Sequence, residues 1–245
     1  ILAQDRSKMS KRNGAVAVSD YDELGYLPDA IVNYLALLGW NPGTEQEIFS
    51  IDELVTQFDL LRVQKGGAIF NIEKLDWVNK EHMKALSSDI IQNNIEERIL
   101  NFKFLTRPPD GQVFNKDLIK KLVPVIFERI HKWGDVDLML RDGELDYFFN
   151  EPVYDKAKLL FKGAPKEKIS ENIKNIIKIL ENTPEFSVEN IKKEIMAFSE
   201  KVGSRGEVLH PMRFALSRRD KSPDPFTIAS IIGKNETIQR LKKAI

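Results

Sequence analysis

The chain has 245 residues, of which 42% are hydrophobic, and its 37 Lys and Arg balance its 37 Asp and Glu. This size allows two or more buried cores, and the neutral total argues against indiscriminate polyanion binding while leaving room for local basic faces. Without Cys, a disulfide framework and a thiolate metal site are excluded, and three widely separated His argue against a His-based metal site. No apolar run approaches the roughly 18 residues of a membrane span, and no signal peptide is visible, so we expect a cytoplasmic protein.

A basic loop lies almost at the start of the chain. It consists of Lys8-Met9-Ser10-Lys11-Arg12. Together with Arg6, four cations fall within residues 6–12, and Gly14 follows. Lysine carries compact charge on a flexible stem, and backbone amides and a hydroxyl add donors, so the loop suits a polyanion such as a triphosphate. For any basic pentamer the alternative is a solvated loop without a ligand.

The basic loop lies very close to the first residue of the chain. The chain begins with Ile1-Leu2-Ala3-Gln4, and the loop follows within a few residues. Because a phosphate-type loop needs a scaffold before it, we interpret the sequence as the carboxy-terminal piece of a longer protein.

The first part of the chain alternates turn signals with short apolar segments. Residues 15–18 are apolar with two β-branched members, which predicts one brief strand, and Ser19 predicts the N-cap of a helix. Gly25 is expected to end that helix, and Pro28 to begin the next one at a position where its missing N–H is harmless.

Two further helix starts are predicted from capping patterns. Ser50 and Glu53 form a capping box, and Asn71 is a second N-cap. Trp77 lies on the helix after Asn71, and we interpret it as a core residue rather than as a platform for base stacking.

From residue 88 onward the apolar residues recur with helical spacing. Four apolar stripes follow this spacing: Ile91-Ile95-Ile99-Phe102, Ile119-Leu122-Ile126-Ile130, Ile169-Ile173-Ile176-Ile177-Leu180 and Ile191-Ile195-Phe198-Val202. Residues 136–149 also predict a helix, and a last pair of helices is divided at Gly233. Period-2 patterns are almost missing, so the sequence predicts an all-α fold. The segment 108–111, Pro-Pro-Asp-Gly, predicts the clearest loop.

Several segments carry a family resemblance. These are KMSKRNGAVAV, YDELGYLPDAIVNYLALLGWNP, FDLLRVQKGGAIFNIEKLDWVN, LDYFFNEP, LHPMRFALS and IIGKNETIQRLKKAI. Together they resemble the carboxy-terminal half of glutamyl-tRNA synthetases of the bacterial or organellar type, which are class I aminoacyl-tRNA synthetases. The resemblance is weakest at about residues 105–145, and the pentamer by itself would not be specific.

The resemblance implies a division into three domains. Residues 1–87 would be the signature loop and a helical stem-contact region, and residues 88–150 and 151–245 would be the two helical parts of an anticodon-binding region. The amino-terminal domain that carries the HIGH signature, the glutamate pocket and most of the ATP site in this family is not in this sequence. Glutaminyl and eukaryotic-type relatives would place β-barrels here, and the relative that modifies queuosine lacks this region.

The resemblance also implies the reaction and its partners. In the full-length enzyme, glutamate would attack the α-phosphate of Mg²⁺-bound ATP and displace pyrophosphate, and the glutamyl group of the adenylate would be transferred to tRNA(Glu). By matching position, Lys11 and then Lys8 would be catalytic, stabilising the departing pyrophosphate. The ATP-contacting loop would consist of Lys8, Met9, Ser10, Lys11 and Arg12. We expect a monomer that holds neither ATP nor Mg²⁺ by this piece alone.

For tRNA contact, the expected side chains are Arg and Lys together with aromatic faces. The candidates are Arg62 and Lys65 on the stem side, Arg129, Lys132 and Trp133 on the anticodon side, and Arg213 with Arg205, Arg218 and Arg219 in the last domain. A solvated surface charge is the alternative for each of them. His131 is expected to be an ordinary partly buried residue.

The sequence is compatible with two functions. One is the tRNA-binding part of a ligase that does not aminoacylate by itself. The other is a free-standing helical module that binds RNA or protein and keeps a vestigial loop. The sequence does not indicate whether tRNA(Gln) is also charged.

Overall fold

The computed structural model of this chain describes residues 1–3, 5–8, 17–102, 115–153, 156–161, 163–219 and 221–245. Within these ranges the α-helices are α1 (Val18–Glu23), α2 (Pro28–Gly39), α3 (Ile51–Gln57), α4 (Ile72–Lys84), α5 (Ser88–Asn101), α6 (Lys116–Arg129), α7 (Gly134–Arg141), α8 (Asp146–Phe149), α9 (Lys166–Asn182), α10 (Val188–Val202), α11 (Arg205–Ser217), α12 (Pro225–Ile232) and α13 (Lys234–Ala244). The described residues form isolated β-bridges but no strand, so the all-α prediction is confirmed. None of the described helices has the length and apolarity to cross a membrane.

The predicted brief strand is wrong at its carboxyl end. Val18 is the first residue of α1, and residues 15 and 16 lie outside the described ranges. The N-cap is Ala17 rather than Ser19, because the Asp20 carboxylate accepts the Ala17 N–H (2.7 Å), and the helix starts two residues earlier than it would with a Ser19 cap. The predicted loop at 108–111 also lies outside the described residues.

The other helix signals of the first part are confirmed. Pro28 is the first residue of α2, and Gly25, at φ +85°, follows the C-cap of α1. Ser50 accepts the Glu53 N–H (3.2 Å) while the Glu53 carboxylate accepts the Ser50 N–H (2.8 Å), which is a complete capping box. Asn71 caps α4 through the Lys74 N–H (3.1 Å).

The contacts divide the chain into two compact units. Unit 1 contains residues 1–102 and 123–138, and unit 2 contains residues 103–122 and 139–245. The divisions fall inside α6 and α7. The three-domain division expected from the resemblance stays a prediction.

Unit 1 is built on the packing of α2 against α4. One core cluster of unit 1 consists of Tyr26, Ala30, Ile31, Tyr34, Leu75 and Val78. A second cluster combines Trp40, Phe49 and Leu54, with Trp40 and Phe49 in edge-to-face contact at 5.6 Å between ring centroids. The buried Asn33 links these regions, since its amide oxygen accepts the Phe49 N–H (3.0 Å) and its NH₂ donates to the Glu47 carbonyl (3.1 Å).

A close backbone approach brings the segment after α6 against the start of unit 1. Trp133 N–H donates to the Gly25 carbonyl (3.0 Å), and Gly134 N–H donates to the Leu24 carbonyl (3.1 Å). A Cβ on Gly25 would lie 2.6 Å from the Gly134 nitrogen, and a Cβ on Gly134 would overlap the Leu24 carbonyl oxygen. Both positions therefore require glycine for steric reasons.

Unit 2 is a helical assembly around α11, which packs on α9, α10, α12 and α13. The predicted α9 stripe is confirmed, because Ile169, Ile173, Ile176, Ile177 and Leu180 are all buried. The helical segment predicted for residues 136–149 is interrupted: α7 ends at Arg141, and Gly143 at φ +64° turns the chain before α8 begins at Asp146. A single Gly in a helical pattern allowed this break but did not require it.

We expect Gly134→Ala to lower the free energy of unfolding by about 1–3 kcal/mol, because the added methyl group must displace the Leu24 backbone. Urea unfolding followed by circular dichroism measures the change. Gly66→Ala is the matched control, since a Cβ there has no heavy atom within 4 Å. Equal stabilities of the two variants would contradict the steric account.

Candidate nucleic-acid interface

The amino-terminal segment is anchored where the basic loop begins. Leu2 N–H donates to the Ala68 carbonyl (2.8 Å), and Phe70 N–H donates to the Leu2 carbonyl (2.8 Å). Arg6 adopts φ +65° in a tight turn that returns the chain to Lys8, which bridges to Leu2 and is exposed. Lys8 is thus presented to solvent from an anchored turn. The other candidates of the loop lie outside the described residues: Met9, Ser10, Lys11 and Arg12.

Arg62 and Lys65 lie on the surface of unit 1 and differ in their contacts. The Arg62 guanidinium donates to the Pro42 carbonyl (2.5 Å) and lies 3.9 Å from the Asp59 carboxylate. Lys65 is exposed and has no ion pair with a described residue. Arg62 therefore holds the 42–43 turn, whereas the Lys65 ammonium is available to an anionic ligand.

Trp77 is exposed, so its interpretation as a core residue is wrong. Trp77 is 38% exposed on α4, and the Lys74 ammonium, which also pairs with the Glu47 carboxylate at 2.6 Å, lies 3.9 Å from its ring centroid. An indole with a cation over one face presents an amphipathic surface of the kind on which bases stack. The spacing of the buried residues of α4 could have revealed this, because Leu75 and Val78 share one face of the helix and Trp77, two residues after Leu75, lies off that face.

A groove of about 650 Å³ lies beside Trp77, between α4 and the end of α6. His131 lines it and is exposed, which corrects the expectation of a partly buried residue. Lys80 is half-buried there and donates to the Phe127 carbonyl, and burial lowers the pKa of its ammonium. Lys80 therefore serves the fold of unit 1.

Lys132, expected to contact tRNA, lies in an ion-pair network within unit 1. Its ammonium is 3.3 Å from the Asp76 carboxylate and 3.1 Å from that of Asp135, with 17% of the side chain exposed. It also lies 5.1 Å from the Tyr26 ring centroid, and Tyr26 donates its hydroxyl proton to Asp76. Burial, followed by the hydrogen bond to Asp76, raises the pKa of the Tyr26 hydroxyl.

Asn79 completes this junction from the interior. Its NH₂ group donates to the His131 carbonyl (2.5 Å), and its amide oxygen accepts the Leu27 N–H (2.8 Å). Asn79 is fully buried, as is most of Trp133, which is 6% exposed. Trp133 is therefore not placed to stack on a base, whereas Arg129 is exposed at the end of α6.

A cavity of about 660 Å³ lies in unit 2 between the end of α8 and the turn that follows α11. One wall consists of Tyr147 and residues 150–153, and the other of residues 217–219 and Lys221. Arg218 caps α11 at φ +60° and is exposed, as is Lys221. Two cations thus rim this cavity.

Arg219 closes one end of the same cavity. Its guanidinium donates to the Asp142 carbonyl (3.1 Å) and to the Gly143 carbonyl (2.6 Å). These contacts consume donors that RNA could otherwise use. The remaining Arg candidates of this unit lie on α11 outside the cavity lining, with Arg205 exposed and Arg213 half-buried.

The cavity combines basic rim groups with acceptors. The Asp146 carboxylate lines it, and so does Glu151, whose carboxylate pairs with Lys243 at 2.6 Å. Cations attract phosphates, and carboxylates accept the amino protons of base edges, so this cavity has the chemistry to hold a splayed nucleotide. Lys221 could not be predicted from the sequence, because a lone Lys in a turn carries no pattern.

No group of three or more His, Asp or Glu that could hold a metal ion occurs among the residues that the structure describes. In nucleotide-binding proteins, Mg²⁺ is usually held by one or two carboxylates together with the phosphates of the nucleotide.

Two family profiles match this chain. The one described as "Anticodon binding domain" matches residues 73–245, and the one described as "tRNA synthetases class I (E and Q), catalytic domain" matches residues 1–77. The glutamate–tRNA ligases of Chlorobaculum parvum and Desulforudis audaxviator are 36% and 35% identical to it, over 100% of this chain and 48% of each relative.

A solved structure is also similar. The crystal structure of a glutamate tRNA ligase from Elizabethkingia meningosepticum in complex with its amino acid superposes with a TM-score of 0.77 at 28% identity, covering 100% of this chain and 49% of that one. The chain thus spans about half the length of the curated relatives it matches.

We expect Lys132→Ala to lower the free energy of unfolding by about 1–3 kcal/mol, because it leaves Asp76 and Asp135 without their shared cation. Lys65→Ala is the matched control and is expected to change stability by less than about 0.5 kcal/mol. Urea unfolding of both variants measures the difference. If the Lys132 variant were as stable as the parent, the network would not be structural.

Proposed function

Because this chain belongs to the anticodon-binding domain family, we propose that it is the tRNA-binding part of a glutamate–tRNA ligase. The observation that carries the proposal is the match of the whole chain to about half of each of several glutamate–tRNA ligases. A free-standing module with a vestigial loop would not be expected to retain that similarity through both matched regions, 1–77 and 73–245.

The proposed activity of the whole protein is a two-step ligation. Glutamate would attack the α-phosphate of ATP, with Mg²⁺ as a cofactor, and displace pyrophosphate. The glutamyl group of the resulting adenylate would then be transferred to tRNA(Glu), with release of AMP. Lys11 and Lys8 would stabilise the negative charge that accumulates on the departing pyrophosphate, with Met9, Ser10 and Arg12 in the same loop. A lysine that meets this charge in the transition state raises the rate of the step and does more than improve ATP affinity.

Two surfaces are proposed to contact tRNA. In unit 1, Lys65 and the Trp77–Lys74 pair would hold the stem side, with Arg62 keeping the neighbouring turn in place. In unit 2, Arg218 and Lys221 would meet the anticodon loop at the rim of the cavity of about 660 Å³. Exposed cations next to an aromatic face or a polar cavity are the usual elements of single-stranded RNA recognition.

The other candidates receive different roles. Arg129, exposed at the end of α6, and Arg213, half-buried on α11, are proposed as further tRNA contacts. Lys132 would act indirectly, by fixing the turn that follows Arg129. We further propose that the whole protein is a cytoplasmic monomer.

Filter binding of this chain to tRNA(Glu) and to a non-cognate tRNA, across a salt series, tests the tRNA-binding proposal. We expect Arg218→Ala and Lys221→Ala each to weaken binding of tRNA(Glu) by about tenfold and to lower the salt slope by about one, as the loss of one phosphate contact does. Lys193→Ala, on the exposed face of α10, is the matched control. Equal affinity for both tRNAs in the parent chain would refute the proposal.

In the full-length enzyme we expect Lys11→Ala to slow ATP–pyrophosphate exchange by tenfold or more, which corresponds to about 1.4 kcal/mol of transition-state stabilisation. Lys193→Ala again serves as a control for a lost surface charge. An unchanged exchange rate in the Lys11 variant would remove its catalytic assignment.

A further inference from the structure

Arg240 is a cation almost completely enclosed in unit 2. It lies on α13 with 4% of its surface exposed. Its Nε–H donates to the Glu236 carboxylate at 2.7 Å, one turn earlier on the same helix. A buried guanidinium is costly to desolvate, so its remaining donors must be satisfied by the protein.

Those donors reach both walls of the cavity of about 660 Å³. Nη1 donates to the Tyr147 carbonyl (2.7 Å) in α8 and to the Leu216 carbonyl (2.8 Å) in the last turn of α11. Nη2 reaches the Asn150 carbonyl at 3.4 Å, immediately after α8. Tyr147 and Asn150 line one wall, and Ser217 and Arg218, which follow Leu216, line the other.

The carbonyls at these positions are the orphan acceptors of two helix ends. The last four carbonyls of a helix have no intrahelical partner, and they carry the negative end of the helix dipole. One planar guanidinium joins both helix ends, which sets the separation of the walls and offsets negative potential beneath a site proposed to receive RNA. A Lys ammonium lacks the fork that makes this possible.

We propose that Arg240 is a positioning residue for anticodon-loop recognition: it fixes the backbone of both cavity walls and does not itself contact RNA. The inference rests on the proposed tRNA-binding function of the cavity. Arg240 holds the backbone from which Arg218 projects on one side and Asn150 on the other. Its loss should therefore change which RNA is preferred, while the number of phosphate contacts stays the same.

The test compares the affinity of the full chain for tRNA(Glu) with its affinity for a transcript that differs only in the anticodon. Arg240→Lys keeps the charge and loses the fork, and it is expected to reduce the ratio of the two affinities by roughly tenfold. The salt slope of binding is expected to equal that of the parent, because no phosphate contact is lost. Arg240→Gln, which keeps an amide donor but no charge, is the second variant, and the same outcomes apply to it.

Two control variants separate positioning from loss of stability. Thr237→Val removes the Thr237 hydroxyl contact with the Ala229 carbonyl (3.3 Å) between α12 and α13, away from the cavity lining. Glu236→Gln removes the ion-pair partner of Arg240 and leaves its carbonyl contacts in place. Both are expected to keep the parent ratio, even where thermal unfolding shows that Thr237→Val lowers Tm as much as Arg240→Lys.

Each result decides the proposal. A reduced ratio in the Arg240 variants alone, with an unchanged salt slope, supports it. A parent-like ratio in a folded Arg240 variant, an equal loss in Thr237→Val, or a salt slope lowered by about one overturns it. If the parent chain itself does not distinguish the two transcripts, the proposed function fails, and the role of Arg240 fails with it.

Discussion

The approach of two glycine backbones is the constraint on which unit 1 depends. Gly25 and Gly134 come so close that neither tolerates a Cβ, and their contact is closed by two main-chain hydrogen bonds across more than a hundred residues of sequence. Two side-chain contacts stabilise the turn after α6: the buried Asn79 amide donates to the His131 carbonyl, and the Lys132 ammonium pairs with the Asp76 carboxylate. Because backbone contacts of this kind do not adjust as side chains do, they hold the segment after α6 in one register against α1, α2 and α4.

Both units use a buried polar side chain to satisfy main-chain groups that helices and turns leave without partners. Asn79 serves the Leu27 amide and the His131 carbonyl in unit 1, and Arg240 serves carbonyls of α8 and α11 in unit 2. An unsatisfied buried group costs about 1–3 kcal/mol, so these side chains are hard to replace. The core of each unit is apolar, but its geometry is set by these polar side chains.

The local signals of the sequence were sufficient for the fold class and for most helix starts. Capping at Ser50 and Asn71, the stop at Gly25 and the stripe of α9 depend on residues within one or two turns, and all are confirmed. The resemblance to glutamyl-tRNA synthetases is confirmed as well. Local signals failed at the Ser19 cap and at the break within residues 136–149, and they could not predict side-chain environments that distant segments set. Trp77 was wrongly placed in the core, and the ion pair of Lys132 with Asp76, which is 56 residues away, was not predicted. Contact of Lys132 with tRNA stays a prediction.

Some cations of this chain bind groups of the fold and others are exposed, and this difference explains how a chain without net charge can be proposed to bind a polyanion. Many of its cations are committed to the fold: Lys80 to the Phe127 carbonyl, Lys132 to two carboxylates, Arg219 to two carbonyls and Arg240 to three. Cations such as Lys65, Arg218 and Lys221 project from turns, where RNA can reach them. A few such contacts give modest electrostatic affinity, so recognition must depend on the shape of the surfaces that carry them. Side chains that fix that shape are then as important to specificity as those that touch the RNA.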